Sequence, residues 1–142
     1  MTLSEEVKDR IKAEYEAFKE RMYAGKSKEE RQEMGQFFTP PEITMRMLEK
    51  FDKAEGTICD PTMGAGNLLV GAYFAGFKME NIYGVELDPT IMEVAKDRLT
   101  KLGFPVSYFE KGKDNHFWVG DALDELSYDF PLHKGKIGKW MS

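Results

Sequence analysis

The stretch Asp60-Pro61-Thr62-Met63-Gly64-Ala65-Gly66-Asn67-Leu68-Leu69 constrains the fold of this chain most. An apolar run, Thr57-Ile58-Cys59, ends in an acid. A turn with two glycines follows, and then a helix-like apolar pattern begins. Such a strand–turn–helix unit lets backbone N–H groups come close to a ligand, and the helix aims its partly positive N-terminus at the same place. Asp60 at the strand tip adds an acceptor for a cationic group. An acceptor beside an anion cradle suits an amino-acid-like ligand better than a pyrophosphate. The dinucleotide fingerprint needs a third glycine where this chain has Leu69, which argues against a nicotinamide or flavin site. An ordinary turn that happens to hold two glycines would read the same way alone, so the rest of the chain decides.

Two further acids end apolar runs. Glu86 lies in Ile82-Tyr83-Gly84-Val85-Glu86-Leu87-Asp88-Pro89, 22 residues after Gly64, close to the roughly 20 expected for an acid that accepts from ribose hydroxyls. Pro89 is placed to open a helix carrying Ile91, Val94, Ala95, Leu99 and Leu102 at helical spacing. Asp121 ends Phe117-Trp118-Val119-Gly120-Asp121 and offers an acceptor to the exocyclic amino group of an adenine. Upstream, Gly35-Gln36-Phe37-Phe38-Thr39-Pro40-Pro41 supplies aromatics that could wall a nucleoside pocket and a threonine that could donate to a carboxylate. The same Thr39 also reads as a helix N-cap, with prolines in the first turn and Glu42 three residues on.

Taken together, Gln36 to Pro41, Asp60 to Leu69, Gly84 to Asp88 and Gly120 to Leu123 resemble the cofactor motifs of adenine-specific DNA methyltransferases. The similarity is closest to the modification subunits of restriction systems, and the motifs keep that family's order from Gly35 to about Leu123. The first two motifs are specific; the last two are weak by themselves. The resemblance implies an S-adenosylmethionine site. Thr39 and Asp60 would hold the methionine part, and the Gly64 and Gly66 backbone would pack against the cofactor. Glu86 would bind the ribose and Asp121 the adenine, with Phe38, Leu87 and Ala122 completing the set. Met63 stands where the family often has cysteine. The family also carries a catalytic Asn/Asp-Pro-Pro-Tyr/Phe, whose aromatic ring stacks on a flipped base. Here no asparagine precedes a proline, and the one Pro-Pro pair is Pro40-Pro41, far upstream. Tyr128-Asp129-Phe130 looks like the start of the strand that would carry the motif, but Pro131-Leu132-His133 follows.

The implied fold is α/β: a truncated Rossmann-like methyltransferase domain over residues 34–142, preceded by an amphipathic helical segment over residues 1–33. Leu3, Val7, Ile11, Tyr15, Phe18 and Met22 recur at steps of three and four, with Ser4 as a start and Gly25-Lys26-Ser27 as a break. That stripe packs either on its own domain or on a partner. Pro105 to Val119 reads as two short strands around Lys111-Gly112-Lys113-Asp114-Asn115. A net charge of −5 argues against a general nucleic-acid-coating protein. Lys111, Lys113, Lys134, Lys136 and Lys139, with His116 and His133, form either a phosphate-contacting face or a solvated one. One cysteine excludes an internal disulfide framework, and no zinc-site spacing occurs. With no signal-peptide pattern and no membrane-length apolar run, a cytoplasmic setting is expected.

Two functions follow from this reading. One is a subunit or fragment of a DNA methyltransferase that meets DNA through a partner subunit. The other is a catalytically silent module that sequesters S-adenosylmethionine or interferes with a restriction-modification system. If the strands beside Asp60 are lacking, an open sheet edge and the helical stripe both ask for a homodimer or a hetero-complex.

Overall fold

The computed structural model describes residues 1–123. The Ser4 hydroxyl accepts from the Val7 N–H at 3.1 Å and opens helix α1 (Glu5–Tyr23), whose first turn carries Glu5 and Glu6 against the helix dipole. The predicted break is present: Gly25 takes a left-handed φ of 73°. A reciprocal capping box between Ser27 and Glu30 then starts helix α2 (Lys28–Glu33). A 3₁₀ turn (Met34–Phe37) leads through extended backbone to helix α3 (Pro41–Glu49). Thr39 is not the N-cap of that helix. The residue before a proline is biased toward extended backbone; in Thr39-Pro40-Pro41 this applies twice, so the cap position moves to Pro40 and no side chain caps the helix.

Two consecutive strand–helix–strand units follow. Strand β1 (Ile58–Asp60), helix α4 (Asn67–Ala75), strand β2 (Ile82–Glu86), helix α5 (Pro89–Lys101) and strand β3 (Phe117–Val119) give a parallel sheet in the order β1-β2-β3. Helix α5 starts at Pro89 as expected, with the Asp88 carboxylate accepting from the Thr90 N–H at 2.8 Å. Pro105 to Val119 departs from the two-strand expectation. Val106–Phe109 winds as a 3₁₀ turn, and Phe117–Val119 is the single strand of that region. The buried Asn115 amide donates to the carbonyls of Tyr108 and Phe117, both at 2.9 Å, and fastens the loop where a strand ladder was expected.

Ile58, Ile82 and Phe117 share one core with Ile11 of α1, Leu48 of α3, Leu69 and Val70 of α4, and Ala95 and Leu99 of α5. The α1 stripe is thereby used inside the chain. Leu3, Ile11 and Phe18 are buried, while Val7, Tyr15 and Met22 are half-buried. Cys59, Val85 and Trp118 form a separate cluster with Tyr83 and Ala122, to which no described helix contributes. Among the described residues, helices therefore cover one face of the sheet. The result is a mixed helix–strand domain with a small parallel sheet, compatible with part of a methyltransferase fold. Tyr128 to Gly135, the lysines and histidine after residue 132, and Trp140-Met141 lie outside the described residues.

Candidate functional site

Parallel strands put their carboxyl ends at one edge of the sheet, and the acids follow that edge. Asp60 ends β1, Glu86 ends β2, and Asp121 lies just beyond β3. The register pairs Asp60 with Gly84 and Glu86 with Val119. Each acid therefore sits two residues further along than the last. With about 3.3 Å per residue and about 4.8 Å between strands, the row advances by about 8 Å per step and about 16 Å overall. That span fits an elongated ligand with polar groups at intervals better than a compact anion.

Between β1 and α4 the chain makes a tight loop. The Met63 N–H is tied to the Val85 carbonyl at 2.9 Å, and the Gly66 N–H to the Met63 carbonyl at 2.9 Å. Gly64 and Gly66 have φ of 55° and 86°, in the left-handed region where a side chain is strained. A Cβ on Gly64 would point into open space, whereas one on Gly66 would meet Leu99. Gly64 thus presents bare backbone outward, and Gly66 shapes the loop against α5. The loop lines a cleft of about 240 Å³ together with Gln36, Thr39, Asp60, Thr62 and Asn67.

Asp60 is the charged group in that cleft, and it is buried. Its Oδ1 accepts from the Thr62 N–H at 3.0 Å and the Thr62 hydroxyl at 3.4 Å. No cation accompanies it among the described residues, and its Oδ2 accepts no hydrogen bond from them. Burial pushes its carboxyl above the usual range; the Thr62 bonds pull it down, and the nearby Glu86 charge pushes it up. Glu86 holds the loop instead, accepting from the Gly64 N–H at 3.0 Å and the Asp88 N–H at 2.7 Å. A carboxylate oxygen accepts more than one hydrogen bond, so Glu86 keeps capacity for hydroxyl donors. Leu87 next to it is 70% exposed. Asp121 is exposed and accepts from the Leu123 N–H at 2.9 Å, while Ala122 packs on the Cys59–Val85–Trp118 cluster.

Thr39, Asp60 and Gly64 thus meet in one cleft, with Glu86 bonded to its loop. Leu87, Asp121 and Ala122 continue along the sheet edge, outside the cleft lining. Phe38 points elsewhere: its ring lies against Tyr15, Phe18 and Tyr23 of α1, with centroids at 6.2, 5.4 and 5.1 Å. Phe37 is buried with Phe18 and Ala65. The aromatic pair expected to wall a nucleoside pocket therefore anchors the segment to α1. His116, grouped with the basic residues, is buried and stacks between Tyr108 and Tyr83, so it belongs to no phosphate-facing surface; Lys111 and Lys113 are exposed.

Sequence reasoning missed Gln36, Thr62 and Asn67 in the cleft, and a buried Arg98–Glu14 pair behind it. Arg98 left a signal. It falls one helical step from Val94 and Ala95, a charge on an otherwise apolar face. Among the described residues no group of His, Cys, Asp and Glu is arranged to hold a metal, and no helix is long and apolar enough to cross a membrane.

Residues 7–117 match the family model described as N-6 DNA Methylase. A type II methyltransferase, M.VspI of Vibrio sp. (strain 343), is 39% identical over 108 residues, covering 74% of this chain and 26% of its own length. M.CvrRI, a type II methyltransferase from Paramecium bursaria Chlorella virus XZ-6E, is 39% identical over 72 residues, 50% of this chain and 19% of its own. The type I restriction enzyme HindI methylase subunit of Haemophilus influenzae is 28% identical over 87 residues, 57% of this chain and 20% of its own. The chain thus spans about a quarter or less of these curated relatives. No solved structure matches it significantly.

Proposed function

This chain belongs to the N-6 DNA methylase family, and from that premise we propose that it binds S-adenosylmethionine along the carboxyl edge of its sheet. In this reading the three strands are the cofactor half of a Rossmann-like methyltransferase fold, and the bound molecule lies along the staggered acids. The observation that carries the reading is Asp60. A buried carboxylate that has, among the described residues, one oxygen accepting no hydrogen bond and no cation beside it, facing a cleft next to bare glycine backbone, suits an α-ammonium group and its neighbouring carboxylate.

Each residue then has a defined task. Asp60 Oδ2 accepts from the ammonium, and Thr39, whose side chain caps no helix, is free to donate to the carboxylate. Gly64 and Gly66 let the main chain approach. Glu86 accepts from the ribose hydroxyls with its remaining lone pairs, Leu87 and Ala122 flank the base, and Asp121 accepts from the adenine amino group. Phe38 supports the site from behind by anchoring the Thr39 segment to α1. When bound, S-adenosylmethionine supplies an electrophilic methyl group on a sulfonium centre. Holding an adenine in DNA against it requires an acceptor loop of the Asn-Pro-Pro-Tyr kind, which we assign to another stretch of polypeptide. The subunit organisation named for the Haemophilus relative supports such a partner.

Calorimetry with S-adenosylhomocysteine tests the reading. The wild-type chain should bind with modest affinity. Asp60→Ala should weaken binding by about 1.5–3 kcal/mol, the worth of a charge-assisted hydrogen bond. No heat of binding at millimolar ligand would refute it.

A further inference from the structure

The two walls of the cleft come from segments far apart in sequence, and one side chain joins them. Asn67, the first residue of α4, lines the cleft and donates from its Nδ2 to the Phe37 carbonyl at 3.2 Å. Its Oδ1 accepts from Arg98 Nη1 at 2.8 Å. Arginine can only donate, so it fixes the amide with its oxygen inward and its NH₂ toward Phe37. The same Nη1 donates to the Ala65 carbonyl in the glycine loop at 3.4 Å. Arg98 is held in turn by Glu14 of α1 through two bonds, Nε to Oε2 at 2.8 Å and Nη2 to Oε1 at 2.6 Å, and its guanidinium lies 4.0 Å from the Phe18 ring centroid. Arg98 is 2% exposed and the Glu14 side chain 10%.

A buried ion pair contributes little to stability compared with apolar residues of similar volume, because desolvation offsets the attraction. A fork that sets one amide's orientation is a role apolar residues could not fill. We propose that Asn67 is a positioning residue for the cofactor, and that the Glu14–Arg98 pair acts through it. Together they fix the gap between the Gln36–Thr39 segment and the glycine loop, which makes α1 part of the cofactor site. The proposal rests on the cofactor reading above, gives a task to a motif residue that had none, Asn67, and adds two residues outside the motifs, Glu14 and Arg98.

The experiment uses the whole chain, with S-adenosylhomocysteine as probe, at a temperature where circular dichroism shows each variant fully folded. Asn67→Ala should weaken binding roughly tenfold and Glu14→Gln about threefold. The double variant should lose no more than Asn67→Ala alone, because both changes break one relay. In nitrogen-correlated NMR, the Asn67 side-chain amide pair should move in Glu14→Gln before any ligand is added, a signature that a purely structural role for Glu14 would not require. If Asn67→Ala does not fold, Glu14→Gln and the amide signals carry the test. Wild-type binding left undiminished by the folded variants overturns this inference alone. Losses that multiply in the double variant overturn the relay. No binding by the wild type overturns the cofactor reading and this inference with it.

Discussion

Stability and the proposed binding role place opposing demands on Asp60. Burial raises its carboxyl above the ordinary value of 3.8, so the folded chain holds this proton more tightly than the unfolded one. Its contribution to stability is therefore fully present below that ordinary value and is lost as pH rises through the raised folded value. At neutral pH the charge is a net burden on the fold. Asp60→Asn keeps an oxygen for the Thr62 N–H and removes the charge. It should raise the thermal midpoint of the ligand-free chain at neutral pH by a few degrees, narrow the gap in acid, and weaken cofactor binding by no more than Asp60→Ala does. Scanning calorimetry between acid and neutral pH, paired with titration calorimetry, checks both halves; an unchanged or lowered midpoint would show that Asp60 is already matched by a cation. The position of this residue was legible in the sequence because a strand tip, two glycines and a helix start leave an acid little choice of place. The direction of Phe38 was not legible. Whether an aromatic faces a cleft or a neighbouring helix depends on where that helix docks, and local spacing does not encode this.

The helices were largely readable, and their errors have local causes. Ser4, Gly25 and Pro89 mark ends by capping or by backbone geometry that acts within a few residues. The shift of the α3 start from Thr39 to Pro40 comes from two successive pre-proline positions. The false strand before β3 arose because Val106, Tyr108 and Phe109 make a short β-branched and aromatic run like a strand, while Asn115 offers the backbone a different set of bonds. What no spacing disclosed is how closely α3 and α4 approach. A Cβ on Gly71 would lie 2.6 Å from Thr44 Cγ2 and 2.9 Å from Leu48 Cδ1. Gly71→Ala should therefore destabilise the chain by about 1–3 kcal/mol through overpacking, despite the better helix propensity of alanine. Urea unfolding with an unchanged slope would measure it, and a stabilised variant would mean that the two helices can separate freely. The α1 stripe gives a matching expectation. Phe18 is 1% exposed and carries the Arg98 cation on its ring, so Phe18→Asp should unfold the chain rather than release a partner. A folded monomer of this variant in light scattering and circular dichroism would instead make the stripe an intermolecular contact.

At the scale of the whole molecule, the sheet is lopsided among the described residues. β1 pairs with β2 on one side and with no described strand on the other, and the described helices cover one face. Among the described residues, the strand bearing Asp60 thus offers an edge on which further strands could extend the sheet. Curated relatives several times longer than the matched region have polypeptide to supply such strands. The expected division of labour is that this chain contributes cofactor binding and a second stretch of polypeptide contributes the acceptor loop. Positioning of reactants can account for roughly 7–11 kcal/mol of a barrier, so binding one reactant without orienting the other should leave almost no rate. Incubated with unmethylated DNA and tritiated S-adenosylmethionine, the 142-residue chain alone should give methyl incorporation at background. Adding a polypeptide that carries an Asn-Pro-Pro-Tyr loop and the remaining strands should restore transfer to adenine, and Asp60→Ala should reduce the restored rate at limiting cofactor. Turnover by the chain alone would place the acceptor site within these residues and overturn the division. Binding of cofactor with no transfer under any complementation would favour the silent, sequestering module.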